Sequence, residues 1–193
     1  GREGARLEKK LLDICRRYGM RMQGPNCLGI INTASRLNAS FATANPPRGR
    51  IAFISQSGAL GSTILNWAIQ KNIGFSSFIS LGNEADLNAA DFLEALSEDE
   101  ETRVIGLYME GVKDGRRFLK VSQKLSRIKP IVALKAGTTD VGMRAVSSHT
   151  GALAGSNVSF SAAFKKAGIL RVDTLEELFN LVLALEEQPP PKG

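Results

Sequence analysis

The chain has 193 residues, 43% of them hydrophobic, and a formal net charge of +6. That length suits one α/β domain with an appendage, or two small domains, and the apolar fraction supports a sizeable core. No apolar run approaches the ~18 residues that span a bilayer, and the opening GREGARLEKK lacks the apolar stretch of a signal peptide.

Cys15 and Cys27 are too few for a disulfide framework and fit a reducing cytoplasm, the expected location. With His149 as the only histidine and no cysteine at metal-site spacing, no metal centre is expected on the chain. The positive charge is unevenly spread. Residues 84–101 carry eight carboxylates and no Lys or Arg, while the basic excess lies in the first helix and around 113–144. Such runs read as solvated helix faces, with attraction of phosphate-bearing ligands as the alternative. No aromatic-and-basic pattern of an RNA-binding sheet is present, so neither nucleic acid nor membrane is an expected partner.

Residues 3–18 have the apolar spacing of an amphipathic helix, with Leu7, Leu11, Leu12, Ile14 and Cys15 on one side and Gly19 as the stop. MRMQGPNCLGIIN follows and reads as a strand, a Gly-Pro-Asn turn and a second short strand. Residues 33–49 hold no period and read as a connecting loop ending in a Pro-Pro hinge. From Arg50 the pattern alternates regularly. Strands are expected at 51–55, 75–82, 103–110, 130–137 and 169–172, and helices at 59–71, 89–97, 115–127, 156–167 and 174–187. The last helix opens on a Thr174-x-x-Glu177 capping box, and PPPKG (189–193) is a tail.

Five apolar strands, each followed by a helix, predict a doubly wound parallel sheet with flavodoxin-like order over residues 50–188. Ligands of such sheets bind beyond the carboxyl ends of the strands. After the first of these strands, Ser55-Gln56-Ser57-Gly58-Ala59 runs straight into a helix, a small-residue turn that suits an anion or simply a serine cap. After the second, Gly82-Asn83 opens a polar loop that lines a pocket or faces solvent. After the third, Glu110 stands at the strand end, as a site carboxylate or a surface glutamate.

After the fourth strand comes a loop of about twenty residues, 136–155, longer than compact domains commonly carry without a function. It contains Ser148-His149-Thr150-Gly151. "HTGALAGS" at 149–156 echoes "QSGALGS" at 56–62, which suggests two anion cradles at one sheet edge, with chance as the rival. Neutral imidazole is a good nucleophile near pH 7, so a histidine beside a phosphate cradle can accept a phosphoryl group. Glu110 could then hold the other ring nitrogen. A lone histidine is otherwise incidental.

With Gly24-Pro25-Asn26-Cys27-Leu28-Gly29, Ser55-Gln56-Ser57-Gly58, Asp91-Phe92 after the Gly82-Asn83 loop, Glu110 and Ser148-His149-Thr150-Gly151 in this order, the chain resembles the α subunit of succinyl-CoA synthetase. It is more closely similar to the α part of nucleoside-diphosphate-forming acyl-CoA synthetases. The resemblance implies that His149 is phosphorylated during turnover, with Glu110 steadying it. It implies that Ser55, Ser57, Gly58 and Ala59, with Gly82, Asn83, Thr150 and Gly151, bind phosphate or substrate. Asn26 and Cys27 would border the site from the coenzyme A side.

Coenzyme A is then a substrate, with phosphate, while ADP or ATP with magnesium is bound on a partner domain. Residues 1–49 would be the tail of a Rossmann-like CoA-binding domain plus a linker. The rest of that domain and an ATP-grasp domain or subunit are expected as partners, in an oligomer that acts on an acyl-CoA. The alternative is an acyl-CoA-sensing regulatory domain of a lysine acetyltransferase-type protein. An FMN or receiver module is disfavoured because Ser55-Gln56-Ser57 stands where a receiver needs carboxylates.

Overall fold

The computed structural model describes residues 1–137 and 157–188. Its elements in chain order are α1 (Arg2–Arg17), β1 (Gly29–Asn32), β2 (Leu37–Ser40), β3 (Arg48–Ser55) and α2 (Gly58–Gln70). There follow β4 (Phe75–Ser80), α3 (Ala89–Glu98), β5 (Val104–Met109), α4 (Gly115–Leu125) and β6 (Ile131–Lys135). The described chain closes with α5 (Asn157–Ala167), β7 (Leu170–Val172) and α6 (Leu175–Glu187).

The strands form one sheet in the order β2-β1-β4-β3-β5-β6-β7. The five expected strands are β3 to β7, all parallel, and their order is flavodoxin-like. Among the described residues two further strands, both from before residue 48, extend this five-stranded parallel part. β1 pairs antiparallel with β4, Ile31 facing Phe78, and β2 pairs antiparallel with β1. Two of the expected elements therefore change. Residues 20–23 are irregular, and the presumed loop of 33–49 contains β2. β2, Leu-Asn-Ala-Ser, alternates apolar and polar residues over only four positions, and its Leu37, Asn38 and Ala39 are exposed, so no buried face marks it as a strand.

The strands are apolar throughout because helices cover both faces. On one side Ile54, Leu107 and Ala133 pack against Leu93 of α3, Phe118 of α4 and Phe164 of α5. On the other, Phe53, Phe78 and Val132 pack against Leu65 of α2 and Phe179 of α6. Phe53 stacks at 6.0 Å on Phe78 and 5.7 Å on Phe179, tying the sheet centre to the last helix. The helix starts are sequence-encoded: Asn88 with Asp91, and Thr174 with Glu177, close full capping boxes.

α1 is different. Cys15 is buried, but Leu7, Leu11 and Ile14 on the same apolar side are exposed. The helix and the turn after it are tied to the loop behind β4. Asn83 Nδ2 donates to Glu8 Oε2 (2.6 Å), and Arg21 makes a two-pronged ion pair with Asp86.

Candidate active site at the switch point of the sheet

In this strand order the chain leaves β3 toward β4 on one side and reaches β5 on the other, which opens a crevice at the carboxyl ends of β3 and β5. Of the residues singled out after the strands, Ser55, Ser57, Gly58, Ala59, Glu110 and the Gly82-Asn83 loop lie at this end of the sheet. Ser55 is fully buried; its hydroxyl donates to the Ser57 carbonyl (2.8 Å) and accepts from the Ser57 N–H (3.2 Å). That closes the turn and places Ser57 as the cap of α2, where its hydroxyl accepts from Leu60 N (3.3 Å). The N–H groups of Gly58 and Ala59 keep no protein partner among the described residues, as a helix start predicts. A side-chain carbon on Gly58 would meet only ordinary contacts, so the backbone is open to an anion.

Gln56 is the residue that sequence reasoning left without a role. Its Oε1 accepts from the N–H groups of both Glu110 and Gly111, the latter at 3.0 Å. Its Nε2 donates to the Gly111 carbonyl and to Glu84 Oε2, each at 2.9 Å. One amide thus spends its full capacity on pinning the strand end that carries Glu110. Replacing Gln56 by Ala should cost about 2 kcal/mol of stability through the unpaired groups left behind. It should also lower activity further than that loss explains, because Glu110 loses its support. Chemical denaturation and turnover of the complete protein measure the two separately.

Glu110 follows β5, and its Oε2 is buried without a hydrogen-bond partner among the described residues. Such a group in a crevice marks a place where a donor is expected. Its charge is felt on both sides. Tyr108 has its pKa raised by burial and further by Glu110. Lys135, at the end of β6, has its pKa lowered by burial while Glu110 opposes that shift.

Glu84 belongs to the acidic run, yet it is only 7% exposed. The Ala89 N–H donates to its Oε1 at 2.9 Å, and Lys113 Nζ staples the same loop by donating to the carbonyls of Asn83 (2.7 Å) and Glu84 (2.9 Å). Burial raises the Glu84 pKa against these bonds. A charge run seen in sequence does not reveal which member turns inward.

The Gly82-Asn83 loop meets the Gly24-Pro25-Asn26 turn. The Asn83 N–H donates to the Pro25 carbonyl (2.8 Å), and Asn26 Nδ2 donates to Asn83 Oδ1 (3.2 Å). Gly82 has φ +59, and a Cβ there would lie 2.3 Å from the Pro25 oxygen. Asn26 and Cys27 are therefore neighbours of the β4 end, Cys27 a free thiol whose Sγ approaches the Gln23 carbonyl at 3.9 Å. Leu28 N donates to Ser80 Oγ (2.9 Å) and locks this turn to the sheet. His149, Thr150 and Gly151 lie outside the described residues.

A cavity of about 360 Å³ lies between α2 and α6, walled by Leu60, Ile64, Trp67 and Phe179 among others. Its walls are mostly apolar, unlike the polar groups gathered at the strand ends. No cluster of three or more His, Cys, Asp or Glu among the described residues is placed to hold a metal. None of the described helices is long and apolar enough to cross a membrane.

Residues 48–185 match the model of the succinyl-CoA ligase-like flavodoxin domain. The chain is 52% identical over 193 residues to the α subunit of an ADP-forming acetate–CoA ligase II of Pyrococcus furiosus, covering all of this chain and 42% of that one. It is 53% identical over 183 residues to an ADP-forming acetate–CoA ligase of Methanocaldococcus jannaschii, covering 95% of this chain and 26% of the relative. A solved dinucleotide-forming acetyl-coenzyme A synthetase 1 of Candidatus Korarchaeum cryptofilum, in complex with phosphate and ADP, superposes with a TM-score of 0.93 at 44% identity. That match covers 97% of this chain and 41% of the solved one. The chain thus spans less than half the length of these relatives. By its sheet order, its strand-end loops and these matches, the chain belongs to the succinyl-CoA ligase-like flavodoxin domain family.

Proposed function

We propose that this chain is the phosphohistidine-carrying part of an ADP-forming acyl-CoA synthetase, with His149 as the carrier. The observation that carries this is Glu110, whose buried carboxylate oxygen has no partner among the described residues and stands at the end of β5, next to the β3 end from which α2 starts at Gly58. A carboxylate so placed suits the ring N–H of an imidazole whose other nitrogen takes a phosphoryl group. The helix start supplies N–H groups and partial positive charge for the phosphoryl oxygens.

In the proposed reaction a phosphate oxygen attacks the thioester carbonyl, the C–S bond breaks, and coenzyme A leaves as its thiol after taking a proton. The resulting acyl phosphate is attacked at phosphorus by the neutral imidazole of His149. The bond from phosphorus to the acyl oxygen breaks and the free carboxylate departs. The phosphohistidine then passes its phosphoryl group to ADP, and every step is reversible. Residues 50–188 carry this chemistry, with 1–49 as the end of a CoA-binding domain and its linker. The exposed Leu7, Leu11 and Ile14 of α1 suit a neighbouring domain at that end. The nucleotide and its magnesium belong to an ATP-grasp partner, and the assembly to the cytoplasm, where Cys15 and Cys27 stay reduced.

The test uses the complete assembly with labelled ATP, or with acyl-CoA and labelled phosphate. An acid-labile, base-stable label on His149 is expected. No label from either direction would remove the carrier role and favour acyl-CoA sensing. Glu110→Gln should slow labelling about 10²-fold at unchanged melting temperature, because a neutral amide stabilises the imidazolium less well. An unchanged rate takes Glu110 out of the mechanism.

A further inference from the structure

Two lysines among the described residues are buried, and only one of them is accounted for by the fold. Lys129 (9% exposed) donates to the carbonyls of Leu96 (2.6 Å) and Asp99, where α3 ends. It caps a helix, a structural use of a cation. Lys135 (5% exposed) closes β6 at the carboxyl edge of the sheet. Its ammonium lies 4.8 Å from the centroid of the Phe160 ring and donates to the Ala136 carbonyl. An ammonium has three N–H donors, so two remain unspent among the described residues. No ion pair joins it to any carboxylate described here.

Burying an ammonium is strongly unfavourable unless it is paired and hydrogen-bonded. A fold that only needed to fill this place would use an apolar residue, as it does at Ile131 and Ala133 on the same face of the strand. Across the strand ends stands Glu110, with one oxygen equally unspent. The two charges act on each other without closing into a pair. A ligand that offers an N–H to the carboxylate and anionic oxygens to the ammonium would satisfy both.

We propose that Lys135 is the anion-binding side chain of this site, its ammonium taking the oxygens of a phosphate or transferring phosphoryl group at the carboxyl end of β6. This rests on the phosphoryl-transfer reading above and names the cation within it. The Phe160 ring face holds the ammonium in place without competing for its protons. A lysine here acts as a compact point charge, which suits a phosphoryl group whose orientation changes during transfer.

The test measures binding of inorganic phosphate to the complete protein by calorimetry, for wild type, Lys135→Met and Lys135→Arg. Met has the length of the lysine stem and no charge, so it removes the ammonium and leaves the packing. Lys135→Met is expected to bind phosphate at least tenfold more weakly. Its melting temperature without phosphate should be equal to or above that of wild type, because a buried charge has gone. Lys135→Arg should keep binding within about threefold, since the charge is retained. Should the methionine variant not fold, Lys135→Gln carries the same measurement.

Equal phosphate affinity in wild type and the neutral variants, or no binding by wild type, overturns the proposal. So does a marked loss of stability in Lys135→Met with affinity unchanged, which would make the lysine structural. Failure of the carrier role looks different: phosphate binds through Lys135 and no label reaches His149. In that outcome the anion site stands and the phosphohistidine falls.

Discussion

In the complete assembly, His149→Asn should abolish the acid-labile label and reduce net acyl-CoA synthesis by about 10⁴-fold or more, the scale seen when a covalent nucleophile is removed. Asparagine keeps a polar group of similar reach but has no ring nitrogen with a free lone pair. The variant should still convert acyl-CoA and phosphate into acyl phosphate and free thiol, because that step needs the phosphate site and not the imidazole. Thiol release measured without nucleotide, beside labelling with ATP, separates the half-reactions. Turnover unaffected in His149→Asn would end the carrier role. Loss of both half-reactions would instead show that His149 helps to build the phosphate site.

Gly82→Ala should lower stability by about 3 kcal/mol, since a non-glycine residue at positive φ is strained and the added carbon has nowhere to go. The Cβ would lie 2.3 Å from the Pro25 oxygen and 2.7 Å from the Asn26 oxygen, both backbone atoms. Moving them breaks the bonds from Asn83 N to Pro25 O and from Asn26 Nδ2 to Asn83 Oδ1, so the turn separates from the β4 end. For a chain of this size that loss corresponds to a melting-temperature drop of about 10 °C. Gly111→Ala is the control. A Cβ at Gly111 meets nothing within 4 Å among the described residues and its φ is ordinary, so stability should change by less than about 0.5 kcal/mol. Thermal unfolding of the two variants side by side decides the matter. Equal stabilities would mean that the contact between the turn and the loop is not a constraint.

These outcomes depend on different layers of the chain. The alternation of apolar strands with capped helices from Arg50 onward was legible as it stood, because a strand covered on both faces must be apolar throughout. Once the sheet is doubly wound, the loops after its strands have to meet at one edge. Ser55 to Ala59, Gly82-Asn83 and Glu110 could therefore be placed at a common crevice from their positions alone. The β1–β2 hairpin could not. Its second strand is four residues long and mostly exposed, and only pairing to β4 through β1 makes it a strand.

The composition, the period of the apolar residues and the five short motifs determine the fold class and the candidate chemistry. Each is a local pattern written by backbone geometry or by the needs of one turn. The partners were decided by the tertiary structure. Gln56 is one residue of a serine-rich turn until β3 and β5 lie side by side, and then it clamps Glu110 and Gly111. Glu84 is one carboxylate among eight until its loop folds under the site. Lys135 ends an apolar strand within a basic stretch, and only packing beneath Phe160 shows that its charge is buried and unpaired among the described residues. Burial and pairing join residues far apart in the chain, and no local pattern encodes which of several like charges will turn inward.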